Sequence, residues 1–449
     1  MYGFEWSVTI ALITWFYCHT RKVRGDTAVI VVCFLAFMVF SLVYASVVIS
    51  PVGHSVSASL LHSTLLIATH IFAALVLTVL YRVSPFHPLY AIPGPFWYKI
   101  SSMRLAYTTS TGKRHLVIKG LHEKYGNFVR TGPNMLSINS ANAVSQIYTQ
   151  ANCMDKSDAY VLGRQKNVGL FFLPQREKHN SRKKSWAPAF SPSALASYHP
   201  CVERRAKALQ ACIERRMNPV SKSVNLTECF QHWAYDLMGD IVFGGSNRLE
   251  LMEEGDPSKY VNAVQLATIG FEILGEVPWL FDILWHLPAT GNLHTFEKRA
   301  GQMMKVRQQD NHGPHNDIAA HLLGEVGSHS VNLTDGELAV DGSLAITAGS
   351  DSTSSIMSFI FYFLTSNPDK FNRLRKELDE AFPTGTPLTF GGLSNLAYLN
   401  AVIDESLRLG TPFPGLPRVV PKGGSLHRWR QNPCRNYHQR SSVHTTDHC

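Results

Sequence analysis

The chain has 449 residues, of which 45% are hydrophobic and 17% charged, and its formal net charge is +9. This length is too great for one small core and allows one large domain or two to three ordinary ones. Lys and Arg are scattered or flank apolar stretches, without the aromatic-interleaved basic patch that stacks bases. We therefore expect no nucleic-acid partner, and contact with anionic lipid or an acidic protein partner instead.

Three apolar stretches open the chain. Trp6–Cys18 is short, whereas Thr27–Ile49 and Leu60–Tyr81 are each long enough to cross a bilayer, which needs about 20 residues. A cleaved signal peptide is the alternative for the first stretch, but it lacks a basic leader and a small-residue cleavage site. Residues 1–84 are therefore predicted to form a membrane anchor of two to three transmembrane helices.

The charges around these stretches predict their orientation. Arg21, Lys22 and Arg24 separate the first two stretches, the segment 50–59 has no Lys or Arg, and Arg82 follows the third. The positive-inside rule then places everything after the third stretch in the cytosol.

The eight cysteines contain no CxxC pair, which is typical of reduced, mostly buried thiols in a cytosol-facing domain.

The rest of the chain is predicted to be mostly α-helical with small β regions. Pro85–Pro95 contains four prolines and predicts a stiff, extended link to the anchor. Turn residues inside Asn127–Ile138 predict a hairpin. The hydrophobic periodicity predicts long helices, of which the clearest are His232–Phe243 (closed by Gly244 and Gly245), Leu338–Leu364, Asp369–Phe382 and Leu396–Leu409.

Ala348-Gly-Ser-Asp-Ser-Thr353 interrupts the long apolar helix. Gly costs about 1 kcal/mol relative to Ala inside a helix, and a buried Asp costs more unless it is hydrogen-bonded or protonated. Small residues let another group approach closely, and a carboxylate followed by hydroxyls can pass protons to it. The alternative is an ordinary kinked core helix with satisfied polar groups.

Glu405 and Arg408 stand three residues apart on one predicted helix. Such a pair is ordinarily a surface ion pair worth a few tenths of a kcal/mol. Here Leu407 and Leu409 flank it and a proline-rich segment follows, which makes an ordinary surface pair a weaker explanation.

In this order the motifs resemble those of cytochrome P450 monooxygenases of the microsomal, fungal type. Pro93-Gly-Pro95 is similar to the hinge after the anchor, and Tyr125–Pro133 to the first β region. Ala348–Thr353 is similar to the oxygen-activating motif, and Glu405 with Arg408 to the Glu-x-x-Arg pair behind the haem. The resemblance covers roughly residues 85–426 and implies a P450-like fold, incomplete at the C-terminus.

The resemblance also implies roles for individual residues. Asp351 would be the acid of a proton relay, with Ser352 in the place of the usual Thr and Thr353 after it. A Ser side chain is less sterically fixed than a Thr side chain, so oxygen consumption would be coupled less tightly to product formation. Glu405 and Arg408 would form a structural pair beside the haem.

Cationic partners for the haem propionates are also implied. His179, Arg182 and Lys183 lie at the place of the family's early cationic helix, and Arg418 at that of the later partner. Relatives often have Trp-x-x-x-Arg where this chain has His179 and Lys183, so the early partner stays open among these three. A solvated helix face is the alternative for the run of charges, above all for Lys178 and Lys184.

The axial Cys thiolate of the family has no counterpart in this sequence. It belongs to a Phe-x-x-Gly-x-x-x-Cys loop several tens of residues after Glu-x-x-Arg, whereas only Cys434 and Cys449 follow here, without that motif. The alternative is that Cys434 or Cys449 serves as an unusual ligand. We therefore predict no metal ligand and a chain truncated or frameshifted before the Cys loop.

The segment 427–449 is predicted to be an aberrant polar tail because it lacks periodicity. Plausible codons shifted by one base from His427 read Ile-Asp-Gly-Gly-Arg-Ile-Pro, which resembles a P450 strand. A frameshift or mis-splicing would explain this, and the nucleotide sequence tests it. Residues 85–426 are then the P450-like domain.

The leading hypothesis is a haem b monooxygenase that oxidises a small lipophilic substrate, in fungal secondary metabolism. NADPH would supply electrons through NADPH–P450 reductase, and the chain would lie in lipid of the endoplasmic reticulum membrane with its soluble domain facing the cytosol. The alternative is a catalytically inactive truncated P450 remnant or a non-enzymatic membrane protein.

Overall fold

The structure is a computed structural model of the chain. It describes residues 2–21, 31–32, 35–36, 38–40, 56–149, 154–161, 167–247, 249–287, 291–310, 316–326, 333–411, 417–420 and 442–445.

The described chain is mostly helical, with five short strands, which confirms the predicted fold class. The helices are α1 Tyr2–Thr20, α2 Val56–Val83, α3 Phe96–Ile100, α4 Met103–Ser110, α5 Arg114–Tyr125, α6 Ala141–Val144, α7 Arg176–Trp186, α8 Pro192–Arg216, α9 Leu226–Phe243, α10 Leu251–Glu254, α11 Tyr260–Gly275, α12 Pro278–Leu284, α13 Gly291–Gln308, α14 Ile318–Leu323, α15 Asp335–Ser366, α16 Pro368–Ala381, α17 Phe390–Ser394 and α18 Ala397–Leu409. The strands are β1 Phe128–Gly132, β2 Met135–Ile138, β3 Asp155–Lys156, β4 Arg418–Val419 and β5 Ser442–Thr445.

The chain divides into two compact units. The sheet unit comprises Met1–Arg164, Ile269–Thr290 and Gly415–Cys449, and the helical unit comprises Gln165–Thr268 and Gly291–Pro414. The predicted boundaries at residues 84 and 426 stay predictions.

α1 and α2 pack against each other at the N-terminus, where the Ser7 hydroxyl donates to the Leu66 carbonyl at 2.8 Å. Among the described residues, Leu61–Val83 in α2 is the one segment long and apolar enough to cross a membrane. It coincides with the predicted Leu60–Tyr81 span. The predicted Thr27–Ile49 span lies mostly outside the described residues.

The sheet unit contains the five strands in the order β1-β2-β5-β4-β3. β1 and β2 form the predicted antiparallel hairpin, in which Phe128 pairs with Ile138. β5 joins β2 in parallel, and β4 is antiparallel to β3 and β5. Ile138, Ile147 and Val420 are buried in one cluster on this sheet, so the hairpin and the late strand β4 share a core.

The helical unit is built around the packing of α9 against α15. Tyr235 and Phe243 of α9 are fully buried with Ile346 of α15 in the largest apolar cluster. α9 starts six residues before the predicted helix, since Asn225 caps it, and ends as predicted at Gly244 with φ +62°.

The link between α2 and α3 is not extended, and that prediction is wrong. Its backbone closes successive turns, in which His87, Tyr90 and Ile92 donate to carbonyls three residues earlier. The prolines fix φ values that suit turns as well as extended chain, and burial of Leu89 and Ile92 decides between the two.

Candidate functional site

α15 runs without a break through the small-residue motif Ala348–Thr353. A Cβ at Gly349 would lie 2.5 Å from the terminal carbon of Met238, a side chain of α9. The small residue therefore admits a neighbouring helix at this point. The Ser350 hydroxyl, fully buried, donates to the Ala234 carbonyl at 3.2 Å and holds the same contact.

Asp351 is partly buried and accepts a hydrogen bond of 2.8 Å from the Tyr235 hydroxyl. Burial raises the pKa of Asp351, and the bond from Tyr235 acts in the opposite direction because it favours the carboxylate. Burial, and then the charge of Asp351, raise the pKa of Tyr235 well above its usual value. The pair is thus a phenol that keeps its proton beside a carboxyl that gains one readily.

Ser352 and Thr353 do not share the hydrogen bond of Asp351. Ser352 is exposed, and its hydroxyl donates to the Ala348 carbonyl of its own helix at 2.6 Å. Thr353 is partly buried. The structure therefore places the predicted acid and hydroxyls in succession on α15, with the acid alone held by another helix.

Arg182 is buried on α7 and faces two carboxylates of α15. It donates to Asp341 at 2.9 Å and also to Glu337, and the Trp186 indole donates to Asp341 at 3.0 Å. Burial raises the pKa of Asp341, while Trp186 and Arg182 oppose that shift. Arg182 therefore fastens α7 to α15.

The other two cations predicted on this helix point elsewhere. Lys183 is exposed, and His179 is partly exposed with Nδ1 at 3.4 Å from the Asn180 side chain. The three candidates are thus distinguished by their environment, and Lys183 is the one that points into solvent.

Arg418 lies on β4 of the sheet unit, with its guanidinium over the rings of Tyr148 at 5.2 Å and Tyr160 at 5.5 Å. Its Nε is buried and has no hydrogen-bond partner in the described part of the chain. Lys156 pairs with it across β3 and β4, and burial followed by the charge of Arg418 lowers the pKa of Lys156 to about 8. A half-buried guanidinium whose buried Nε donor is unused, beside a second cation, fits a carboxylate such as a haem propionate.

Glu405 and Arg408 form a two-bond pair on α18, at 2.7 and 2.6 Å. Their side chains are 56% and 49% exposed, so the pair lies at the surface of the described helical unit. A Cβ at Gly410, directly after α18, would lie 2.6 Å from the Phe359 ring of α15. The helix is thus packed on α15, although the ion pair itself faces outwards.

The described cysteines do not fit an axial iron ligand. Cys212 and Cys229 are fully buried in an apolar cluster, Cys18 is exposed on α1, and burial raises the pKa of Cys201 beside Asp240. Cys434, like the other late cysteine, lies outside the described residues. Within the described ranges no group of three His, Cys, Asp or Glu side chains could hold a metal ion.

A cavity of about 320 Å³ opens in the helical unit, and its lining includes Tyr260, Arg299 and Met303. None of the predicted site residues lines it. Tyr260 packs edge-on against Tyr235, with ring centroids 5.7 Å apart. A residue of the cavity lining therefore contacts the hydrogen-bond partner of Asp351 directly.

Sequence reasoning missed Tyr235 and Asp341. Tyr235 gives no signal in the sequence, because an aromatic residue in an apolar helix is ordinarily core. Asp341 does give one, since an acid inside the apolar start of α15 must find a partner.

These features define a helical protein with a small sheet and a long central helix that carries a partly buried acid. A family model described as Cytochrome P450 matches residues 92–427. The chain therefore belongs to the cytochrome P450 family, whose characterised members include monooxygenases.

Named relatives are about 30% identical to the chain over the residues that align. Tryprostatin B 6-hydroxylase of Neosartorya fischeri is 32% identical over 80% of this chain and 65% of its own length. Cytochrome P450 monooxygenase notG' of Aspergillus versicolor is 32% identical over 77% of this chain and 63% of its own length. Cytochrome P450 monooxygenase rdc4 of Metacordyceps chlamydosporia is 30% identical over 85% of this chain and 80% of its own length. The chain thus spans less than two thirds of the length of the first two.

Proposed function

We propose that the protein is a haem-dependent monooxygenase that hydroxylates a small lipophilic substrate in fungal secondary metabolism. The observation that carries this is the Tyr235–Asp351 pair at the small-residue motif of α15. The relatives named as monooxygenases, one of them a tryprostatin hydroxylase, support the reaction class.

Haem b, when bound, would supply the iron that activates dioxygen with electrons from NADPH through a reductase. The contribution of this chain would be to hold and deliver a proton. Asp351 suits that role because burial keeps a proton on its carboxyl to higher pH than usual. Ser352 and Thr353 would follow it in the relay.

Arg418 is the strongest candidate for a propionate partner, because its buried Nε has an unused donor. Lys183 is the stronger of the early candidates, since Arg182 already binds two carboxylates and His179 contacts Asn180. The Glu405–Arg408 pair would be a structural element of the domain.

The same proposal places the chain in the endoplasmic reticulum membrane, with α2 as an anchor and the remainder in the cytosol. The apolar window Leu61–Val83 supports this, because Arg82 lies at its C-terminal end and the segment 50–59 before it has no Lys or Arg. A reductase and membrane lipid are the partners that follow.

The second candidate is a membrane protein without monooxygenase activity. It is favoured by one observation, namely that no described cysteine fits an axial ligand.

A carbon-monoxide difference spectrum of the full chain, expressed with haem and reduced with dithionite, separates the two. A thiolate-type Soret band supports the monooxygenase. Haem bound without that band, or no haem at all, supports the second candidate. In an active preparation, Asp351→Asn should lower product formation by roughly 10²-fold or more.

A further inference from the structure

The cavity of about 320 Å³ in the helical unit lies where the chain between α9 and α11 passes α13. Leu251 and Tyr260 of its lining are buried, whereas Glu254 and Gln302 are exposed. The cavity therefore has a mostly apolar floor and a polar mouth. Its volume is at the lower end of the roughly 300–1,000 Å³ that is usual for small-molecule sites. We call it the loop cavity.

The loop that forms this cavity is held in place by hydrogen bonds. The buried Asp236 carboxylate accepts from the first two amides of α10 at 2.8 and 2.9 Å. Asp256 likewise accepts from the first two amides of α11 at 2.7 and 2.9 Å. The Asn247 side chain donates to the Met303 carbonyl of α13 at 2.8 Å and joins the loop to that helix. The cavity is thus preformed, and a ligand would not have to order the loop first.

The backbone at both ends of this loop has an uncommon conformation. Glu250 and Lys259 have φ values of +52° and +53°, and Lys222 is the one other non-glycine residue of the described chain with a positive φ. Residues with side chains adopt this region rarely, and they keep it only where the surrounding structure enforces it, which is frequent at ligand sites. This observation supports a binding role for the loop.

Two opposite charges lie on the wall of the loop cavity without an ion pair. Arg299 is partly exposed and donates to the Ser258 hydroxyl at 3.3 Å, and none of the described carboxylates pairs with it. Glu254 is exposed and also has no cationic partner among the described residues. Asp256 is not available in its place, because its two oxygens bind the amides of α11.

These charges select the class of ligand. A molecule with a carboxylate alone would meet the like charge of Glu254, and one with an ammonium group alone would meet that of Arg299. A zwitterion pairs with both, and an apolar body covers the floor formed by Leu249 and Leu251. A small apolar α-amino acid has these properties.

Tyr260 connects the loop cavity with α15. Its ring contacts that of Tyr235, whose hydroxyl donates to Asp351. Burial raises the pKa of Tyr260, the charge of Arg299 opposes that rise, and the charge of Asp351 adds to it. One phenol therefore senses the cation of the cavity and the acid of α15. A ligand carboxylate at Arg299 would offset the effect of that cation on Tyr260.

We propose that the loop cavity is a second ligand site, which binds a small zwitterion with an apolar body, such as a free apolar α-amino acid. Arg299 binds the ligand carboxylate and Glu254 its ammonium group. Binding restricts Tyr260 and, through Tyr235, the part of α15 that carries Asp351. The site goes beyond the proposed monooxygenase reaction, and ligand binding there does not depend on haem.

The test titrates the full chain in nanodiscs with L-phenylalanine and follows binding by saturation-transfer NMR, with empty nanodiscs as the blank. Two analogues each lack one charge: 3-phenylpropionate has no ammonium group, and 2-phenylethylamine has no carboxylate. The cavity variants are Arg299→Gln and Glu254→Gln. Their matched controls are Lys305→Gln on the same helix α13 and Glu253→Gln beside Glu254, both at exposed positions outside the lining.

We expect L-phenylalanine to bind and each analogue to bind severalfold more weakly. Arg299→Gln should weaken phenylalanine binding about tenfold, because a charged hydrogen-bond partner is lost. Glu254→Gln should have a smaller effect, since its carboxylate is exposed. Lys305→Gln and Glu253→Gln should leave the affinity unchanged. Phenylalanine should also slow hydrogen exchange at 348–354 in the parent, and not in Arg299→Gln at the same ligand concentration.

Absence of saturable phenylalanine binding would overturn the site, and so would equal affinities of Arg299→Gln and Lys305→Gln. Equal binding of 3-phenylpropionate and phenylalanine would overturn the choice of a zwitterion. Binding that leaves exchange at 348–354 unchanged would overturn the link to Asp351. None of these readouts uses haem or activity, so the monooxygenase proposal stands or falls separately.

Discussion

Two acids of α15, of which Asp341 is fully buried and Asp351 partly buried, are stabilised in different ways. Asp341 has a guanidinium, an indole and a backbone amide as partners, whereas the carboxyl of Asp351 has the Tyr235 hydroxyl. A buried carboxylate with a cation beside it can stay ionised. A carboxylate whose partner is a neutral donor loses much of its hydration and gains one hydrogen bond in return, so its charged form is less well stabilised. The first therefore serves structure, and the second is suited to proton exchange.

Asp351→Asn should stabilise the fold at neutral pH and not in acid. Burial raises the pKa of Asp351 in the folded state, so its contribution to stability is fully present below the unfolded pKa. That contribution is lost as the pH rises through the folded pKa. Asn imitates the protonated form and can still accept from Tyr235.

Urea unfolding followed by tryptophan fluorescence at pH 4 and pH 8 would measure this. The free-energy difference between the variant and the parent should be larger at pH 8. A difference that is the same at both pH values would show that Asp351 keeps an ordinary pKa.

Arg182→Met should destabilise the protein by about 3–5 kcal/mol, because it leaves Asp341 buried without its cation. Lys183→Met, one residue along on an exposed position, should stay within about 0.5 kcal/mol. Thermal unfolding of the two variants without haem makes the comparison. Equal, small effects would assign Arg182 to ligand binding instead of to the α7–α15 contact.

At the scale of elements, α15 depends on how it begins. Thr334 and Glu337 form a reciprocal capping box, in which the Thr334 hydroxyl accepts from the Glu337 amide and the Glu337 carboxylate accepts from the Thr334 amide. Glu337 also binds Arg182. The same carboxylate thus starts the helix and joins it to α7.

Thr334→Ala should cost about 1 kcal/mol, the usual value of an N-cap side chain, and should increase hydrogen exchange in the first turn of α15. Thr365→Ala, at the exposed end of the same helix, is the matched control. If both substitutions have the same effect on exchange at 335–341, the cap does not hold this helix end.

At the scale of the whole molecule, the sequence predicted the helices and the hairpin well. Apolar periodicity located α15 and α18 within three residues at either end, and the turn residues located β1 and β2. Periodicity depends on which face is buried, and that is a local property of each segment.

The sequence could not predict partners between distant segments. Nothing local to Tyr235 indicates that it meets Asp351, 116 residues later, and nothing in the 85–95 prolines distinguishes turns from an extended link. Both depend on tertiary packing. The roles of Glu405 and Arg408 stay predictions for the same reason.

The hydrogen bonds of Arg130 limit how far the N-terminus can be shortened without loss of stability. Its guanidinium is buried without a carboxylate, donates to the Arg82 carbonyl at 3.0 Å and to the Pro133 carbonyl at 2.8 Å, and burial lowers its pKa to about 10. A version shortened to begin at Ser84 deletes one of these acceptors, and one that begins at Tyr81 keeps it.

The shorter version should unfold at lower temperature and aggregate more, because a buried donor left unsatisfied costs about 1–3 kcal/mol. Adding Arg130→Met should recover part of that loss in the shorter version alone. The last residues of the apolar span therefore contribute to the stability of the sheet unit, and a shortened form of the protein must retain them.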